Sequence, residues 1–182
     1  MGEEIQYFRP STQEFEVMLE LDDLEELFDD LGFDEPTDDQ LTQLLGIFQK
    51  DFVDEAFTIN ACSVKIVDKA SFNREFKGCP ETFVHLITRE SKMKGQRMFD
   101  RERANRLHWI KPILVNYQDP RIKYYEYLDE KGIAKKHFWF EEFNFMVVLK
   151  PIGNDLLVVT GFKVDALEKK RYLKRYRDYH GL

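Results

Sequence analysis

From Thr12 to Leu31, apolar residues recur at helical spacing (Phe15, Met18, Leu19, Leu24, Leu27, Phe28 and Leu31) with Asp and Glu between them, a period that predicts a helix ended by Gly32. Pro36-Thr37-Asp38-Asp39 supplies a turn and a capping residue, and Leu41, Leu44, Leu45 and Phe48 then mark a second helix. The first sixty residues therefore read as an acidic helical hairpin. SVKIVD, at 63–68, alternates enough for a short strand. Cys79-Pro80-Glu81-Thr82 places a proline at a helix start, with Phe83, Leu86 and Ile87 as the apolar stripe. Gly95 breaks the pattern, after which a further helix is expected from about Arg101 to Leu114 through Ala104, Leu107, Trp109 and Ile110.

Beyond Asn116 the period shortens. IKYYEYL (122–128), KKHFWFEEF (135–143), FNFMVVLKP (143–151) and DLLVVTGFKV (155–164) are rich in β-branched and aromatic residues, and turn residues part them at 129–132 and 153–155. They predict an antiparallel meander whose last two strands form a hairpin. Alternation in KKHFWFEEF sends Phe138 and Phe140 to the core and turns His137, Trp139 and Glu141 outward. Leu167 to Tyr179 reads as a basic, Tyr-rich helix. Helices followed by a run of strands imply α+β architecture, with helices packed on one face of the sheet and a basic C-terminal helix. The expected organisation is an accessory or partner-binding hairpin at 1–60 and an α+β body at 61–182.

Composition refines this picture. With 182 residues, 43% of them apolar and 14% aromatic, the chain is long enough for one well-filled core and is unlike a disordered segment. Cys62 and Cys79 are too few for a disulfide framework or a thiolate zinc site, which fits a reducing cytoplasm. No leader and no eighteen-residue apolar run are recognised, so neither secretion nor a membrane span is expected. The net charge of −7 hides two halves. Residues 1–60 hold 18 acidic and 2 basic side chains, a balance of −16, while the rest hold 16 acidic and 25 basic, a balance of +9. A basic body attracts phosphates locally even in an acidic protein, and the acidic segment is a candidate cover for it.

No phosphate loop, dinucleotide fingerprint, HExxH pair, GxSxG elbow or zinc spacing is present, so no cofactor or metal is expected. The positive signal is FVHLITRESKMKGQRMFDRERANRLHWIKPIL, in which Arg89, Lys92, Lys94, Arg97, Arg101, Arg103, Arg106 and Lys111 follow His85. If the helix runs on, His85 and Arg89 share a face at i and i+4. An imidazole that moves a proton beside a guanidinium that stabilises a phosphorane suits RNA cleavage, in which the ribose hydroxyl is the nucleophile. The same spacing also fits a satisfied buried histidine with a surface arginine. His137, facing outward with Trp139 and Glu141, is a second acid–base candidate or part of an ordinary solvated face. The Thr160 hydroxyl can bond a phosphate or a neighbouring backbone group. Tyr124, Tyr125 and Tyr127 can stack on unpaired bases, although half of them must pack inward.

The order of these segments, FVHL, then RMFDRERANRLHWIKPIL, YYEYL and HFWF, then FNFMVVLKP turning into DLLVVTGF, resembles the barnase–EndoU–colicin–RelE nuclease superfamily, in its phage and toxin-associated branches. The resemblance covers roughly 79–165. It implies a four- or five-stranded antiparallel sheet and metal-independent cleavage of RNA, tRNA being one candidate, within toxin or anti-phage systems that pair a nuclease with an antitoxin or other protein partner. It also implies His85 as the helix-borne acid–base group, Arg89 as a phosphate contact and Thr160 as a late-strand hydroxyl near the scissile phosphate, with Arg101, Arg103 and His137 as weaker transfers. Two other readings fit the same residues: a non-catalytic nucleic-acid or protein interaction module, and an acidic protein whose first sixty residues mimic nucleic acid.

Overall fold

The computed structural model describes residues 21–182. The first part of the expected opening helix, 12–20, lies outside them. From Asp23 the chain follows turns and irregular backbone up to Thr37, so no helix extends to Leu31. Two forces oppose one there. Acidic side chains stand four apart (Asp22 and Glu26, Glu25 and Asp29, Glu26 and Asp30), a repulsive spacing on a helix. The buried Asn105 also claims the segment's backbone: its carbonyl accepts from Leu27 N at 3.0 Å, its Oδ1 accepts from Phe28 N at 2.7 Å, and its Nδ2 donates to Phe28 O at 2.9 Å.

Helix α1 (Asp38–Gln49) starts at a capping box of Thr37 and Gln40 and runs on through a π turn at Lys50–Asp54. Strands β1 (Thr58–Ile59) and β2 (Cys62–Lys65) follow. Helix α2 (Glu81–Ile87) stops where Thr88 turns extended, at φ −128° and ψ 162°, and leads into a small hairpin of β3 (Thr88–Glu90) and β4 (Arg97–Phe99). The helix expected over 101–114 is in three pieces: α3 (Arg101–Ala104), a 3₁₀ turn (Leu107–Trp109) and α4 (Ile110–Val115). Asn105, engaged with 27–28, lies at the break. Pro112 falls in the first turn of α4, where no donor is missed.

Strands β5 (Ile122–Leu128), β6 (Ala134–Phe140), β7 (Phe145–Ile152) and β8 (Asp155–Lys163) form the expected meander. The described sheet has six strands rather than four or five, in the order β1-β2-β8-β7-β6-β5, and it is mixed, because β2 runs parallel to β8. Helix α5 (Ala166–His180), capped by Asp165 and by Gly181 at φ 68°, covers the second face. Helices therefore pack on both faces, not one. Phe138, Phe140, Phe145, Val147, Leu149 and Val158 share one core with Leu24, Leu31, Leu44, Phe48, Phe83 and Ile113, while Tyr125, Trp139, Met146 and Val148 lie beneath Tyr172 of α5. A strand covered on both sides has no solvated set to alternate with, so the consecutive runs FWF and FMVVL are both inward. The outward placing of His137 and Trp139 is overturned by this cover: they are 6% and 0% exposed.

Gly161 lets the first core close. A Cβ there would lie 3.1 Å from Ile110 Cδ1 and 3.3 Å from Phe145 Cζ, so the missing side chain is what allows α4 to seat on β8. Among the described residues, no helix is long and apolar enough to cross a membrane.

Candidate functional site

The late strand carries an irregularity that sets which way Thr160 points. Val148 pairs with Thr160 and Leu149 with Val158, which leaves Val159 as an extra residue on β8. This bulge turns Thr160 onto the face of Val148 and Phe162 rather than the face of Val158. There the Thr160 hydroxyl accepts from Arg103 Nη1 at 3.0 Å, and the same nitrogen donates to Thr88 O at 2.8 Å. Arg97 meets the same threonine: Nε donates to Thr88 Oγ1 at 2.9 Å and Nη2 to Thr88 O at 3.0 Å. The turn from α2 into β3 thus acts as a mount for two guanidinium groups.

Their charges are thinly compensated. Asp100 lies 3.5 Å from Arg103 Nε and 3.9 Å from Arg89 Nε, and Glu90 lies 4.0 Å from Arg97 Nη1. Among the described residues three cations share two carboxylates, and the buried Arg103 Nε has no hydrogen bond. Burial pulls both Arg97 and Arg103 below the usual arginine range. An arriving phosphate would supply the missing anion with charge-assisted bonds.

His85 stands beside this pair. It is half-buried on α2 and lines a groove of about 720 Å³ between the loop at 69–75 and the β3–β4 hairpin, together with Glu81, Phe72 and Arg97. It also borders a smaller pocket of about 130 Å³ with Lys150, Val158 and Val159. Burial, then the Arg97 charge, lowers the His85 pKa below its ordinary value; Glu81 opposes this and Arg103 adds to it. No described residue hydrogen-bonds its ring.

The expected pairing of His85 with Arg89 does not form, because α2 ends at Ile87. Arg89 sits on β3 opposite Met98, 58% exposed in its side chain, and faces a separate groove of about 760 Å³ with Arg101, Arg103 and Phe162. The helical neighbour of His85 lies on the other side: Glu81, four residues earlier, lines both pockets with it. Thr160 is brought to the cluster through Arg103. Lys92 and Lys94 are exposed in the β3–β4 turn, and Arg101 lies over the Phe33 ring at 4.8 Å. Tyr125 is fully buried and stacks on His137 at 4.6 Å, so neither ring offers a free face to a base. Glu81, Phe72 and Lys150 did not stand out in the sequence, although the spacing of Glu81 from His85 behind Pro80 was readable there.

The chain matches no protein-family model, no curated protein and no solved structure. Its functional reading therefore rests on its own side chains. Among the described residues, no group of three or more His, Cys, Asp or Glu is arranged to hold a metal ion.

Proposed function

We propose that this protein is an endoribonuclease of the toxin or anti-phage kind, cleaving unpaired RNA through the substrate's own 2′-hydroxyl without a metal. The observation that carries this reading is the convergence of Glu81, His85 and Arg97 on one groove, with Arg103 locked behind them by Thr88 and Thr160. Glu81 takes the proton from the ribose 2′-hydroxyl as its oxygen bonds to phosphorus. His85 gives a proton to the departing 5′-oxygen as the old P–O bond breaks. Arg97 holds the phosphate and its developing charge, and the Arg103 charge stands behind it. Thr160 acts as a positioning residue for Arg103 rather than as a phosphate contact.

The test is incubation of the purified protein with single-stranded RNA in EDTA, with products read as 2′,3′-cyclic phosphates. Glu81→Gln and His85→Ala are expected to lower the rate about 10²- to 10⁴-fold each. RNA blocked by 2′-O-methylation should remain whole. Because the acid must be protonated, and its pKa lies below the ordinary 6.5, the rate should fall as pH rises through that lowered value, putting the optimum on the acid side of neutrality. Undiminished cleavage by His85→Ala would overturn the assignment. Tight RNA binding with no cleavage at any pH would favour the interaction-module reading.

A further inference from the structure

A third groove, of about 790 Å³, opens beside α5 and is lined by Tyr127, Lys135, His137, Lys150, Val159 and Arg175. Lys150 and Val159 line both this groove and the pocket under His85. His137 is the unusual feature. The residue is 6% exposed, its face lies flat on Tyr125 at an interplanar angle of 9°, and Nδ1 is 3.1 Å from Lys135 O. A carbonyl accepts only, so Nδ1 carries the ring proton and Nε2 keeps a lone pair. Nε2 is not among the sealed polar atoms, and it is the ring atom left to meet the groove. At the mouth, the Arg175 guanidinium is centred 3.7 Å from the Tyr127 ring, making a flat cationic plate. A phenylalanine would fill the same space on Tyr125 without burying a polar ring, so packing alone does not explain an imidazole with an open acceptor.

We infer that this groove is a base subsite for the RNA strand whose scissile phosphate lies at Arg97 beside His85. A base enters with an N–H edge toward His137 Nε2 and a face on the Arg175–Tyr127 plate, while Lys150 bridges to the adjoining phosphate. The inference rests on the RNA reading above. His137 and Thr160 lie in one row of the sheet on the same face, two strands apart through Val148, about 10 Å at the usual strand spacing. The lone pair selects bases that present an amino or imino hydrogen.

Binding can be measured apart from cleavage. A fluorescein-labelled 2′-O-methyl RNA octamer of alternating adenine and cytosine, and the same backbone with abasic residues, are titrated by anisotropy into the full-length protein. His137→Phe, which keeps a ring on Tyr125, and Arg175→Ala are expected to weaken the base-bearing strand about 3- to 10-fold each, with the abasic strand held as in the unchanged protein by His137→Phe. Should His137→Phe fail to fold, long-range ¹H–¹⁵N spectra of the unchanged protein decide: the His137 Nε2 resonance should move with the base-bearing octamer and stay still with the abasic one. Equal losses for the two strands, or an unmoved Nε2, would overturn the subsite. Base-dependent binding that persists while His85→Ala retains full cleavage would sink the proposed active site and leave this groove standing.

Discussion

His85 and His137 are both imidazoles in a basic body, yet their surroundings give them different work. His85 borders open grooves and two arginines. His137 is enclosed, and burial pulls its pKa down from 6.5 to about 4 despite the bond to Lys135 O. Between those two values the unfolded chain binds a proton that the folded one does not, so stability is complete above about pH 6.5 and falls as pH drops toward 4. At 1.36 kcal/mol per pH unit the loss is on the order of 3 kcal/mol. Urea unfolding at pH 7 and pH 4.5 should show it, and His137→Phe should remove most of it. The lowered pKa values of His85 and His108 act in the same direction and leave a remainder. The sequence identified His85 and Thr160 as candidates, but their connection runs through Arg103 and a bulge at Val159, neither of which local spacing encodes.

At the level of elements, segments whose pattern is internally consistent were readable: the four meander strands, the turn between β7 and β8, and the body of α5, though not its Asp165 cap. Elements decided by distant partners were not. The helix over 101–114 breaks where Asn105 bonds to Phe28, seventy-seven residues away, and the parallel pairing of β2 with β8 joins Val64 to Leu156. Packing accounts for the glycine of the VVTGF run, since Gly161 makes room for Ile110. Gly161→Ala should therefore lower stability by about 1–3 kcal/mol, because the Ile110 side chain must give way. Asp165→Ala removes the Oδ1 that accepts from Leu167 N at 2.8 Å, an N-cap loss of about 1 kcal/mol. The two changes are separable by hydrogen exchange: the first should loosen β8 and α4, the second the first turn of α5. Uniform loosening in both variants would argue against this division.

Across the whole molecule, charge and core pull the acidic segment toward the body for different reasons. Asp22 pairs with Arg121, Glu26 with Arg106, and Glu55 with Lys111, while among the described residues Arg97 and Arg103 are served only by Glu90 and Asp100. The described acidic residues thus quench one part of the basic surface and leave the groove beside His85 cationic. Leu21, Leu24, Leu31, Leu44, Phe48 and Phe52 meanwhile fill the same apolar cluster as Phe83 and Phe145, so removing 1–60 should abolish cooperative unfolding rather than unmask a binder. The cationic track can be counted instead. Arg97 and Lys150 offer about two phosphate contacts along the His85 groove and the groove beside α5, and each contact on a single strand contributes about −0.7 to the slope of log affinity against log salt. Titrating the 2′-O-methyl octamer between low and moderate salt should give a slope of about −1.4. Lys150→Gln should make that slope shallower by about one contact without changing the preference for base-bearing over abasic strands. A slope near zero would mean that phosphates do not follow this track, whatever the net charge of −7 permits.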